Sequence, residues 1–375
     1  MGRCPCRCDG NRNNRTLVSP VERILTGEKR KRRTAGNHNA LRGTRLKAFI
    51  LAGGFGTRLR PLTYTRPKHM LPIANRPHIE HVFDLLEKCG VREIVLLTSY
   101  LAEHFSSVVE DAAARGLDFA VAHEERPLGT AGAFKNAEDL VGDEAFLAFN
   151  GDILTDIDLN GVLEFHRAKD AEATLVLTAV EDPSAYGVVP TDEGGRVLDF
   201  IEKPPRSEAP TNLINAGIYV FEPTILDRIP AGRVYSAERE LFPGLVEEGA
   251  RLFATGTDAY WMDIGTPQQY LRANLDALVG RYRTSAVESP GNGAVLSSEG
   301  AQVSAGASVR TVCLGKGARI EEGSTVERSV LLPGAVVGAG ASVETSIVGE
   351  DARVRPGAVL SGAAIADGQT VDSSK

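Results

Sequence analysis

Three short segments hold residue types suited to phosphate chemistry. The first is Leu51-Ala52-Gly53-Gly54-Phe55-Gly56-Thr57-Arg58-Leu59-Arg60-Pro61, followed by Arg66-Pro67-Lys68. Glycines after an apolar strand let backbone N–H groups approach phosphate oxygens, and Arg58 and Lys68 add fixed positive charge. Two familiar glycine loops are excluded. The Walker pattern needs Gly-Lys-Ser/Thr, which this segment lacks, and the dinucleotide pattern fails at its third glycine, where Leu59 stands. The second segment is Phe149-Asn150-Gly151-Asp152. A carboxylate just past a buried strand can hold Mg²⁺, a hard cation that takes oxygen ligands and substrate phosphates. Equally, it can cap the next turn. The third is Trp261-Met262-Asp263-Ile264-Gly265-Thr266. Asp263 reads either as a second carboxylate on the same metal or as the N-cap of a helix opening near Pro267. Sequence alone does not pair Asp152 with Asp263.

Elements must bring these segments together. Residues 47–52 form an apolar run ending in Gly53-Gly54, a buried strand running into a loop. Pro77 opens a helix to Cys89. Strands are expected over Glu93–Leu97, Leu117–Val121 and Ala145–Phe149, and helices over Leu101–Ala114 and Gly129–Leu140. Such alternation indicates a parallel sheet faced by helices. Ligands bind beyond the carboxyl ends of such strands, so Gly53-Gly54 and Asn150-Gly151-Asp152 should share one mouth.

From about residue 290 aromatics vanish and aliphatics recur at a 17-residue step. Leu314, Leu331, Val348 and Ile365 are in phase, as are Ile320, Val337, Val354 and Val371, and Val326, Val343 and Leu360. Spacings of six, six and five within each repeat describe a left-handed parallel β-helix of hexapeptide type, whose coils bury their aliphatics by stacking. Hairpins in a sandwich would not hold a fixed step.

A chain of 375 residues suggests two or three domains. No apolar run approaches the ~20 residues of a membrane span. The net charge of −7 divides into +9 over residues 1–46 and −16 over the rest. An acidic body is a poor nucleic-acid binder, though a nucleotide can still bind where cations gather. Residues 1–46, with Lys29-Arg30-Lys31-Arg32-Arg33, read as a basic disordered extension. Contact with nucleic acid or anionic lipid is the alternative, and a third reading places the natural start near Leu46. Cys4, Cys6 and Cys8 lack a fourth metal ligand at a familiar spacing, and five cysteines so placed form no disulfide framework. A reducing cytoplasm is the expected location.

Taken together, these residues resemble the sugar-nucleotide pyrophosphorylases, the nucleotidyltransferases that make NDP-sugars. The resemblance runs from Lys47 to about Leu278 and then into the β-helix. It is carried by the segments above and by Tyr186-Gly187-Val188, Phe200-Ile201-Glu202-Lys203-Pro204 and Asn215-Ala216-Gly217-Ile218-Tyr219. Glu124-Glu125-Arg126-Pro127-Leu128-Gly129-Thr130 is most similar to mannose-1-phosphate guanylyltransferases. The resemblance implies a Rossmann-like, mixed but mostly parallel nucleotidyltransferase domain over 47–282 and a β-helix domain over 283–375. By the same resemblance, Leu51, Ala52, Gly53, Gly54, Gly56 and Thr57 cradle the nucleotide, with Glu124, Pro127, Gly129, Thr130, Asn150 and Gly151 alongside. Arg58 and Lys68 bind the triphosphate, and Asp152 and Asp263 hold Mg²⁺. Tyr186, Gly187, Glu202, Lys203, Asn215 and Gly217 hold the sugar phosphate, with Lys203 on its phosphate. Arg58, Lys68, Asp152 and Lys203 form the catalytic set. His69 departs from the pattern, since relatives often carry proline there; it reads as a packing or solvent residue rather than a base.

The expected substrates are an NTP and a sugar 1-phosphate. Guanine offers two adjacent donors that one carboxylate accepts, and Glu124 stands where pyrimidine-using relatives often carry glutamine, so the resemblance favours GTP, with mannose 1-phosphate implied by the 124–130 segment. Glu124 as a solvated loop acid is the competing reading, and thymidylyl or uridylyl transfer to glucose 1-phosphate the competing reaction. An acyltransferase role for the tail is disfavoured, because no histidine follows His166. The tail then reads as an oligomerisation or regulatory element of a homo-oligomer. A non-catalytic regulatory subunit is the remaining alternative.

Overall fold

The computed structural model describes residues 46–99 and 102–372, so the basic extension up to residue 45 and its cysteine run lie outside the described residues. Strand β1 (Lys47–Leu51) is covered on both faces, which is why its sequence is a continuous apolar run rather than an alternation. Helix α1 (His78–Lys88) follows Pro77, then β2 (Glu93–Thr98), α2 (Ser106–Ala114), β3 (Asp118–His123), α3 (Gly129–Asn136) and β4 (Phe146–Asn150). Two expected helices are shorter than the sequence suggests. The segment before α2 is a 3-10 turn over Ala102–Phe105, and α3 stops at Asn136 because Ala137 leaves helical geometry (φ −102°, ψ 14°).

Strands β1, β2, β3 and β4 are parallel, with Leu51 opposite both Leu97 and Asn150. This register brings the ends of β1 and β4 to one level, and the Gly151 N–H donates to Leu51 O (3.0 Å). The second half adds β5 (Ile153–Thr155), α4 (Leu159–Ala168), β6 (Ala173–Ala179), β7 (Gly187–Val188), β8 (Ile201–Glu202), β9 (Leu213–Phe221) and β10 (Leu252–Thr257). The sheet runs β8-β7-β9-β4-β1-β2-β3, with β6 also on β9 and β10 on β6. β9 is antiparallel to β4 and β6, so the sheet is mixed but mostly parallel in its first half. One face packs around Phe83, Phe105 and Phe119 and the other around Phe146, Tyr219, Phe221 and Phe242. Each such ring contributes roughly 1.5–3 kcal/mol on burial.

A two-stranded antiparallel ladder joins β5 to β11 (Trp261–Asp263), and α5 (Pro267–Leu278) follows. Beyond residue 291 every strand pair is parallel and steps by 17 residues. Leu314, Leu331, Val348 and Ile365 stack in register, as do Val326, Val343 and Leu360, and all are buried in one core. The corners obey the same step: Thr311, Arg328, Thr345 and Gly362 all have positive φ (53°, 47°, 48° and 64°). A left-handed residue at each corner turns the chain from one face of the coil to the next. These parallel strands form the expected coil, not a sandwich of hairpins. Helix α5 seals the coil against the first domain through Tyr270, Leu271 and Leu278 against Cys313, Val330 and Ile347. Among the described residues no helix is long and apolar enough to cross a membrane.

Candidate active site

Strand ends build the site. The loop after β1 passes so close to its neighbours that side chains would not fit. A Cβ on Gly53 would lie 2.7 Å from Ser99 Oγ, and one on Gly151 would lie 2.5 Å from Leu51 O. Gly56 takes a left-handed conformation (φ 59°) and starts the 3-10 turn Thr57–Leu59, which turns Arg58 out while burying Leu59. Thr63 Oγ1 donates to Gly56 O (2.8 Å) and fixes the far side of the loop.

Lys68 reaches across this loop and pairs with Asp152. Burial alone would raise the Asp152 carboxyl, but the Lys68 ammonium overcomes it and holds the group down at about 2. Asp263 is brought alongside by the β5–β11 ladder. Asp263 pairs with Ile153, and the Ile264 N–H donates to Asp152 O (2.9 Å). Burial and then the Asp152 charge push Asp263 up to about 6, against the pull of Lys68, Arg58 and Lys203. Asp263 is not a helix cap. Thr266 caps α5, its Oγ1 accepting from the Gln269 N–H (3.2 Å). The two carboxylates therefore converge, and Asp263 Oδ1 is buried with no hydrogen-bond partner. A buried acceptor left open beside a second carboxylate fits a hard cation that completes its shell with phosphate oxygens. Among the described residues no group of three or more His, Cys, Asp or Glu side chains could hold a metal ion, so Asp152 and Asp263 are the carboxylates this centre offers.

A Cβ on Gly265 would lie 3.0 Å from an Arg58 guanidinium nitrogen, which places Arg58 at the same centre. Lys203 approaches from β8. Its N–H donates to Tyr186 O (3.0 Å), its Nζ lies 3.3 Å from Glu202 Oε1, and its backbone is left-handed (φ 52°). Such a conformation is disfavoured for a side-chain-bearing residue, and the exposed ammonium acts electrostatically on Asp263. Asn215 and Gly217 lie in the bulge of β9. Asn215 Oδ1 accepts from the Gly217 N–H (3.1 Å), and its amide donates to Tyr219 Oη (2.8 Å). Gly217 in turn abuts the Asn150 amide, whose Oδ1 is buried and unpartnered. Tyr186 stands edge-on to Trp261 (5.6 Å), next to Asp263. Gly187 lies under Phe200 and Glu202.

Glu124 is buried, which excludes the solvated loop acid, and burial pushes its carboxyl up. Oε1 accepts from the Leu128 N–H (3.2 Å), while Oε2 faces Gly53. Pro127 and Gly129 flank it at the surface. Thr130 stands apart from the other expected residues. Its hydroxyl donates to Glu238 (2.7 Å) and accepts from the Ala237 N–H (2.7 Å). His69 is a packing residue, fully buried against Gly151 and held neutral by burial and by Lys68. Ser99, which donates to Gly53 O (2.6 Å), was missed by sequence reasoning. Its place just past β2 at the carboxyl edge was the available signal.

The nucleotidyl transferase family matches residues 47–279, and the GMPPB C-terminal domain matches residues 291–374. The chain is 41% identical over 286 residues to mannose-1-phosphate guanylyltransferase of Mycobacterium tuberculosis, covering 76% of this chain and 79% of that protein. It is 42% identical over 230 residues to the mannose-1-phosphate guanylyltransferase catalytic subunit beta of Danio rerio, covering 60% of this chain and 63% of the relative. Among solved structures, HddC from Yersinia pseudotuberculosis complexed with GMP-PN is similar, with TM-score 0.53 and 31% identity over 61% of this chain and 98% of that one. The family match, the mixed sheet and the carboxylate pair beside the glycine loop agree: the chain belongs to the nucleotidyl transferase family.

Proposed function

We propose that this chain transfers a guanylyl group from GTP to mannose 1-phosphate, giving GDP-mannose and pyrophosphate. One observation carries the reading: Asp152 and Asp263 meet across the β5–β11 ladder, beside Lys68 and Arg58. The guanylyltransferase names of the relatives support the substrates. A phosphate oxygen of the sugar attacks the α-phosphorus in line. The bond from that phosphorus to the bridging oxygen breaks, and pyrophosphate leaves with the electron pair. The nucleophile is already an anion, so no base is needed, which fits a site whose buried histidine is neutral.

Catalysis is then positioning and charge neutralisation. The Gly53–Gly56 backbone holds the triphosphate, and Arg58 and Lys68 balance the charge that builds on the leaving group. Lys203 holds the sugar phosphate in line. Asp152 and Asp263 would hold Mg²⁺, which supplies charge neutralisation to the phosphates when bound. Lys68 exchanges Asp152 for phosphate as substrate enters, so its side chain is already aimed at the centre beforehand. Glu124 keeps one oxygen for the guanine edge while Leu128 holds the other. The substrates are charged metabolites, which fits a cytoplasmic enzyme. Activity with GTP, UTP and dTTP against mannose 1-phosphate and glucose 1-phosphate tests the proposal. The expected result is a GTP and mannose 1-phosphate preference that Glu124→Gln weakens by about tenfold, a loss in the range of one hydrogen-bonded contact. Preference for dTTP or UTP in the unmodified enzyme would overturn it.

A further inference from the structure

Hydrogen bonds from outside the nucleotidyltransferase sheet hold the segment that carries Lys68. Arg66 is mostly buried, and one guanidinium nitrogen donates to Asp367 Oδ2 (2.8 Å) and to Glu350. Thr65 Oγ1 donates to the same Asp367 oxygen (2.5 Å), while Asp367 Oδ1 accepts from the Glu350 N–H (2.8 Å). Asp367 thus ties the segment to two successive coils. On the far side of Lys68, Tyr270 Oη donates to Pro72 O (2.7 Å), and Asn75 Nδ2 donates to Leu314 O (2.9 Å). Ala74 and Asn75 both have positive φ (48° and 63°), a bend that such ties keep in place.

Only Pro67 separates Arg66 from Lys68, and its ring fixes φ (−61°). A shift of Arg66 therefore passes to Lys68 with little slack. We propose that Arg66 is a positioning residue: clamped by Glu350 and Asp367, it sets where Lys68 stands beside Asp152, so the coil domain helps to aim the phosphate-binding lysine. The catalytic consequence rests on the reaction proposed above; the clamp itself does not.

The test uses the full chain with Arg66→Met, Arg66→Lys, Asp367→Asn and the double variant Arg66→Met/Asp367→Asn. Steady-state kcat and KM are measured together with amide hydrogen exchange. Arg66→Met and Asp367→Asn should each lower kcat by about tenfold, as small misplacements of a reacting group do, with each KM within about threefold. The two losses should fall short of multiplying in the double variant, because the two variants share the Arg66–Asp367 contact. Arg66→Lys should recover part of kcat, since a single nitrogen bridges both carboxylates. Exchange at Met70 and Leu71 should quicken while β1 and β4 stay protected. Asp367→Asn keeps the test decisive should Arg66→Met fail to fold. Unchanged kcat despite faster exchange, losses that multiply, or unchanged exchange would each overturn the proposal. An unmodified enzyme without GDP-mannose synthesis would sink the functional reading instead, and the exchange data would still decide the clamp.

Discussion

Asp263 bears the electrostatic cost of the site. Burial and its neighbour Asp152 raise it to about 6, so near neutral pH it is held ionised against its surroundings. The folded state then binds a proton more readily than the unfolded chain does between about pH 6 and 4. The ligand-free protein loses stability as pH rises through that window. Asp263→Asn removes the cost. It should stabilise the ligand-free chain at pH 7 by on the order of 1–3 kcal/mol while abolishing turnover, a trade-off expected where a site stores unfavourable charge. Urea unfolding beside a pyrophosphate-release assay checks both halves; a destabilised variant would remove the like-charge account. The sequence offered Asp152 and Asp263 as separate hypotheses, because each residue type at a strand end has an ordinary capping role. What joined them was the pairing of β5 with β11, a tertiary fact with no local signal.

At the scale of elements, α1 carries two buried histidines, His78 and His81. The His81 ring N–H donates to Ile73 O (3.0 Å), and burial holds the ring down at about 4; burial and His81 hold His78 down at about 3. An unfolded histidine titrates near 6.5. Between about pH 6.5 and 4 the unfolded chain gains protons that the folded chain refuses, so these residues lower stability as pH falls, by about 1.4 kcal/mol per pH unit for each ring. Asp263 opposes them below about pH 6. Comparing His81→Gln with the unmodified chain isolates one ring: the variant should lose stability less steeply from pH 6.5 to 4.5 in urea titrations, and parallel curves would mean that His81 titrates freely. Periodicity decided which elements were legible. The coil repeats were, because each aliphatic must stack on its counterpart one turn away, and the buried parallel strands were, as short apolar runs. The antiparallel half was not. β7 and β8 are two residues each, and β9 is interrupted by the bulge that places Asn215 and Gly217, so no period survives to be read.

In the whole molecule, two domains of opposite construction meet through α5 and the Arg66 segment. Sequence showed the coil as a separate texture and left it as an oligomerisation or regulatory element. Its reach to within two residues of Lys68 was hidden, since Arg66 reads locally as one more cation in a glycine-loop motif. In the proposed reaction Asp152 and Asp263 would serve one divalent ion while Lys68 and Arg58 neutralise the leaving group. Pyrophosphate release from GTP and mannose 1-phosphate across a Mg²⁺ titration tests it most directly, in the unmodified chain, Asp152→Asn and Asp263→Asn. The account predicts saturable Mg²⁺ dependence in the first and a loss of about 10³-fold or more in both variants, the scale of removing a main source of transition-state charge stabilisation. Near-normal Mg²⁺-dependent turnover in either variant, with the fold intact, would contradict it.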